Sequence, residues 1–280
     1  MRRRRLPIIA ISLVLALAPA AAVGEETGLA DIVAGKAGII TLLHDKAAHA
    51  LVTVAQDESF ARYFRAETEA ERLAAKRRIE EISLAMERRF RVGEMCLIGA
   101  DGAEITRIVG SRVALDLDID ESDSIFFAPT FELRSRQVSI SPIYASADSD
   151  TWVIAYSTPI RLDGETRAIL HYEHSLQGYM QAIVRDHVES PRFILVFDAI
   201  GRVIYDSRRP MMLTAVTMNS EQIAAYVRPF ELDGLTLADT ESSLVPGVRL
   251  NVREGLTAQG RYRAASIVVE GWTVLALEPA

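Results

Sequence analysis

The first rhythm of apolar and polar positions along the chain is helical. Over residues 29–54, Ile32, Ile39, Leu43, Ala47, Ala50 and Val54 recur at spacings of three, four and seven, which predicts one long amphipathic helix. The near-heptad spacing fits a seam with a second copy, or a stripe lying on the chain's own sheet; the pattern leaves both open. His44 and His49 fall off the stripe and are expected in solvent. Asp57-Glu58-Ser59 reads as a helix restart, and a second helical pattern covers residues 60–90 with a break near 67–70. Ile79, Ile82, Met86 and Phe90 form its apolar face. Glu69, Glu71, Arg72, Lys76, Arg77, Arg78, Glu80 and Glu81 interleave in sign, as a solvated face with paired charges does.

The rhythm then shortens to two. Residues 94–98 and 104–109 flank Ala100-Asp101-Gly102 as a strand hairpin. Residues 110–124 are acidic, with Asp116, Asp118, Asp120, Glu121 and Asp123, but lack the glycine and terminal glutamate spacing of a calcium loop. Residues 125–133 form an aromatic-rich short helix or loop. Strands over 137–141, 151–159 and 165–173 then make a meander, the last two joined by Leu162-Asp163-Gly164. By alternation Arg167, Ile169, His171 and Glu173 share one face, while Ala168, Leu170 and Tyr172 share the other. Trp152, Ile154, Tyr156 and Thr158 alternate with Val153, Ala155 and Ser157. A histidine and a carboxylate on a covered face point to a sheet that packs on one side and lines a pocket with the other. Ser175 caps a helix over 176–187.

A second, smaller set of elements follows: strands at 192–198 and 202–205, a helix near 220–227, and strands near 235–239, 261–269 and 272–277. CLIGADGAEITRI and ILVFDAIGRVIYD repeat one strand–turn–strand pattern, so two modules of related construction are expected. The fold class is α+β: long N-terminal helices on two antiparallel-sheet modules. The expected regions are a leader at 1–22, helices at 23–90, a first module at 91–187 and a second at 188–280.

The leader changes the compartment. Arg2–Arg5 precede an apolar run from Leu6 to Leu17 and small-residue sites at Ala20 and Ala22, the pattern of a bacterial export signal. The expected product is periplasmic or secreted, the other reading of the segment being an uncleaved membrane anchor. The 280-residue chain carries a net charge of −7, and cleavage makes it more acidic still. An acidic exported protein is a poor partner for nucleic acid. Cys96 is the single cysteine, so no internal disulfide forms, and a buried thiol is expected.

Several stretches resemble the extracytoplasmic double Cache (dCache, PAS-like) sensor domains. Residues 92–98 with Asp101-Gly102 and residues 104–107 look like that family's first hairpin. Phe126-Phe127, followed by Ser139-Ile140-Ser141-Pro142-Ile143-Tyr144, look like its aromatic pair and the strand after it. Leu170-His171-Tyr172-Glu173 resembles the last strand of its membrane-distal module. Phe197-Asp198, Gly201 and Gly271-Trp272-Thr273-Val274 resemble strands of the proximal one. The resemblance implies a binding module without enzymatic activity, sensing a small molecule and passing its state to a membrane kinase, cyclase or chemoreceptor. It implies an aromatic pair at Phe126 and Phe127 and an acidic ammonium anchor at Glu173. The family's carboxylate-holding Arg and upstream Tyr fall on Ser124 and near Ile119, so that clamp is missing. An amine-bearing or cationic ligand is the expectation. The chain also departs in ending at Ala280 with no output domain. It is expected to be a free-standing binding protein.

The candidate ligand-binding residues are Phe126, Phe127, Ser141, Tyr144, Trp152, Tyr156, His171 and Glu173. No cofactor and no metal site is expected, since His174 points away from His171 and Glu173 on a continuous strand. No serine-hydrolase, zinc-protease or phosphate-loop motif occurs. The other readings are an interaction or dimerisation module built on the long helix, and, more remotely, an enzyme with an unfamiliar site.

Overall fold

The structure is a computed structural model. It describes residues 28–90, 93–117, 120–146, 151–184, 191–199, 201, 203–208, 241–242, 251–257 and 260–280. The leader at 1–22, Ile119, and the elements expected near 220–227 and 235–239 lie outside the described residues.

The long helix α1 spans Leu29–Ala55. Its buried line is Ala30, Val33, Ala34, Ala37, Ile40, His44, Ala47, Ala50, Leu51 and Val54. This is rotated from the expected stripe: Ile32 and Leu43 pack at its margin and Leu42 is exposed. The reason is steric. Alanines let the helix backbone approach the sheets closely, and the bulkier side chains spread along the edges. His44 is therefore not solvated but buried, at 1 % exposure. Helix α2 (Glu58–Arg65) starts at Asp57, whose carboxylate accepts the Ser59 N–H at 2.9 Å. Helix α3 (Glu69–Phe90) opens with a capping box: Thr68 Oγ1 accepts the Glu71 N–H, and the Glu71 carboxylate accepts the Thr68 N–H.

The first sheet contains β1 (Glu94–Gly99), β2 (Glu104–Val109), β3 (Arg112–Val113), β4 (Ser139–Ile140), β5 (Tyr144–Ala145), β6 (Trp152–Leu162) and β7 (Glu165–Ser175). Its order is β3-β2-β1-β7-β6-β4, with β5 also on β6, so the meander β4-β6-β7 forms as expected and β1 docks on its far side. Asp163 and Gly164 both take positive φ, 53° and 89°, the turn an Asp-Gly hairpin uses. A short helix α4 (Phe127–Phe131) lies between β3 and β4, and α5 (Leu176–Val184) follows β7.

The second sheet runs β10-β11-β12-β13-β8-β9, where β8 is Phe193–Phe197, β9 Val203–Asp206, β10 Glu241–Ser242, β11 Val252–Leu256, β12 Tyr262–Val269 and β13 Trp272–Pro279. β11 was not foreseen. It holds its place through backbone pairing with β12, and Arg253 and Leu256 face solvent, so it carries no apolar rhythm.

Helix α1 packs on β6 of the first sheet and on β12 and β13 of the second. One continuous core results, running from Ile79, Leu97, Tyr156 and Tyr172 through α1 to Ile194, Trp272 and Val274. At its centre His44 Nδ1 lies 2.6 Å from the Tyr156 hydroxyl, which also bonds the Tyr179 hydroxyl. Trp272 stands edge-on to His44 at 5.2 Å. Lys36, buried on α1, donates to the Ile183 carbonyl at 2.5 Å and ties α1 to the end of α5.

Candidate functional site

Because α1 covers one face of the first sheet, alternate side chains of β1, β2, β6 and β7 go to the other face. The ladder register sets them in rows. Arg107 of β2, Cys96 of β1, His171 of β7 and Ser157 of β6 are directly opposite one another in succession. All four are buried, at 3, 1, 2 and 0 % exposure. One step along, Glu94 opposes Glu173, which opposes Ala155. A register shift between Leu97 and Ile98 brings Glu104 beside Cys96. This face thus buries three carboxylates, a thiol, an imidazole and a guanidinium, where a plain core would be apolar.

The cover comes from the segments between β3 and β5. Phe126, at the start of α4, stacks on the His171 ring with centroids 3.9 Å apart and planes 16° from parallel. Tyr144 of β5 donates its hydroxyl to Glu173 Oε1 at 2.6 Å, and its oxygen lies 3.2 Å from His171 Nε2. With the single Tyr144 proton committed to the carboxylate, Nε2 must be the donor to the tyrosine oxygen. Burial pushes the His171 pKa down to about 3, so the ring is neutral and Nδ1 carries a bare lone pair. His171 Nδ1 and Ser157 Oγ have no hydrogen-bond partner among the described residues. Burial first, then the Glu173 charge, raises the Tyr144 pKa far beyond the ordinary tyrosine value and keeps it a donor.

On the β1–β2 side, Cys96 Sγ lies 2.9 Å from Glu94 Oε1 and 3.5 Å from Glu104 Oε1. The ligand atoms of these three residues all lie within 4.8 Å of one another. Burial, and after it Glu94, raises the Cys96 pKa well above normal, so the thiol is protonated and donates to a carboxylate. Arg107 reaches Glu104 at 3.7 Å, the Asp116 carbonyl at 2.7 Å and the Asp116 carboxylate at 3.0 Å.

The eight residues singled out by sequence divide. Phe126, Tyr144, His171 and Glu173 meet on this face, with Phe127 beside them, packed on Phe131 at 4.8 Å. Ser141 borders it in a structural role: its N–H donates to the Ala155 carbonyl and its Oγ accepts the Ala155 N–H, both at 2.9 Å. Trp152 and Tyr156 project from β6 to the opposite, helix-covered side and join the main core. Alternation along β6 puts them there, one residue out of phase with Ala155 and Ser157. His174 also faces that side, edge-on to Tyr156 at 5.3 Å. Glu94, Glu104, Arg107 and Ser157 were passed over. The signal was present: positions 94, 96 and 98 alternate to one face, and a glutamate in that series has to be buried with Cys96. Ser124, where the resemblance would place an arginine, bonds Glu121 instead.

No family model matches the sequence, and no curated protein matches it. Solved structures match the fold at low identity. The sensory domain of the Campylobacter jejuni chemoreceptor Tlp3 with isoleucine bound has a TM-score of 0.62 and 14 % identity, over 90 % of this chain and 91 % of that one. The extracellular domain of the putative histidine kinase rpHK1S-Z16 gives 0.57 and 13 %, over 90 % and 93 %. The ligand-binding domain of the Pseudomonas aeruginosa chemoreceptor PctB with L-Gln gives 0.53 and 14 %, over 91 % of both chains. The chain has the fold of the double Cache type of sensory domain.

Proposed function

We propose that this protein is a periplasmic sensory domain that binds a small amine-bearing molecule on the outer face of its first sheet. It passes ligand state to a membrane kinase, cyclase or chemoreceptor and has no enzymatic role. The observation that carries the reading is Glu173, a carboxylate buried at 3 % exposure on the covered face and fixed by the Tyr144 hydroxyl beside the Phe126 ring. An ammonium group is a fitting partner for a carboxylate held in this way. Glu173 holds the ligand's ammonium, Tyr144 fixes that carboxylate, and Phe126 and Phe127 supply the aromatic wall. The ligands bound in structures of this fold, isoleucine, L-valine, L-serine and L-Gln, all carry an amine, which supports the class. The export leader belongs to the same proposal.

One observation favours a second reading, that of an interaction or dimerisation module. Phe126 stacks directly on His171 and fills space that a ligand would use. The two readings separate in a calorimetric screen of amines, amino acids and simple carboxylates. Saturable binding of an amine, weakened at least tenfold in Glu173→Gln, supports the sensor. Tight binding of carboxylates with no amine response contradicts it.

A further inference from the structure

We propose that Glu94, Cys96 and Glu104 form a three-donor binding site for a divalent metal ion of the zinc class. Three observations converge on it. First, the spacing fits. A tetrahedral zinc ion with bonds of about 2.3 Å to sulfur and about 2.0–2.2 Å to oxygen holds the two donors roughly 3.5 Å apart. Cys96 Sγ lies 3.5 Å from Glu104 Oε1 and 2.9 Å from Glu94 Oε1, the shorter distance being the thiol hydrogen bond that a metal replaces.

Second, the surroundings of the cluster are polar rather than filled by apolar packing. His171 leaves β7 directly across the ladder from Cys96 and on the same face, and its Nδ1 is buried without a hydrogen-bond partner among the described residues.

Third, the donor set has a supporting shell. Arg107 approaches Glu104 at 3.7 Å and is itself held by Asp116, so it orients the carboxylate. Glu94 and Glu104 are 4 % and 7 % exposed, which keeps water from competing. A soft thiolate with two carboxylates selects zinc, cobalt or nickel over calcium and magnesium, which prefer all-oxygen sites. Binding forms the metal–sulfur bond and breaks the S–H bond; the proton leaves to solvent.

The site lies on the β1–β2 side of the face and the proposed ammonium anchor on the β7 side. The metal inference therefore rests on the cluster and not on the ligand reading. Amine binding is measured separately, on chelator-treated protein.

The test is titration of chelator-treated full-length protein with cobalt(II). The expected result is one cobalt per chain, with a thiolate-to-cobalt charge-transfer band that zinc abolishes by displacement. Cys96 is the only cysteine, so the band reports on it alone. Cys96→Ser should lose the band, and Glu94→Gln and Glu104→Gln should each weaken cobalt binding by at least about tenfold. Zinc added to the wild type should release protons, which a pH indicator detects without any variant. Absence of the band at saturating cobalt, or zinc binding without proton release, would overturn the proposal. Circular dichroism melts show whether each variant is folded, and the proton-release assay decides if one is not.

Discussion

His44 should make the protein's stability acid-sensitive. Its ring is held neutral inside the junction of α1, β6, α5 and β13, with Nδ1 2.6 Å from the Tyr156 hydroxyl and the Tyr179 and Trp272 rings 5.4 and 5.2 Å away. Burial, and after it the neighbouring His174, lowers the pKa from 6.5 to about 4. A histidine with a depressed folded-state pKa leaves the unfolded chain binding more protons between those values. Its contribution is therefore complete above 6.5 and is lost as the pH falls toward 4. The full shift corresponds to about 3 kcal/mol, of which about 2 kcal/mol is lost between about pH 7.5 and about pH 5. Urea denaturation at the two pH values measures it. His44→Gln keeps a polar side chain but does not titrate, so its stability should fall by about 2 kcal/mol less than wild type over the same interval. His171, also buried and lowered by burial, titrates alike in both proteins and cancels in the comparison, whereas the coupling of His174 to His44 is part of what the difference measures. Equal losses in wild type and His44→Gln would refute the reasoning.

Other outcomes follow from single contacts. Gly102 has a φ of 84°, and a Cβ there would lie 2.3 Å from Asp120 Oδ1, so Gly102→Ala should destabilise by about 1–3 kcal/mol in urea melts. Ser141→Ala removes the Oγ acceptor of the buried Ala155 N–H and should lose about 1–3 kcal/mol by the same assay. Tyr144→Phe removes the hydrogen bond that fixes Glu173, and amine affinity by calorimetry should fall about 3- to 30-fold with the fold intact by circular dichroism.

Much of the architecture was legible because it is written in short-range chemistry. The Asp163-Gly164 turn, the helix restart at Asp57 and the alternation of β7 each specify their own geometry. What escaped was set by long-range packing. His44 reads as solvated from its helix phase, yet the alanine line turns α1 so that it meets Tyr156 across 112 positions of sequence. Lys36 is buried because α5 ends against it, which no local pattern reveals. β11 is hidden for the opposite reason, since its strand identity lies in backbone pairing. At the site, His171 and Glu173 were visible by alternation. Trp152 and Tyr156 were drawn in by their aromatic type against their phase, and Glu94 and Glu104 were missed because their partner Cys96 was read as plain core.

The measurement that bears most directly on the sensory reading is native mass spectrometry of the protein isolated from its own cell envelope, with denaturation to release whatever is bound. The account predicts a co-purifying amine that is lost in Glu173→Gln and retained in Tyr156→Phe, because Tyr156 lies on the other face of the sheet. A chain that is empty, or one whose bound molecule lacks an amine or is lost equally in both variants, would contradict it.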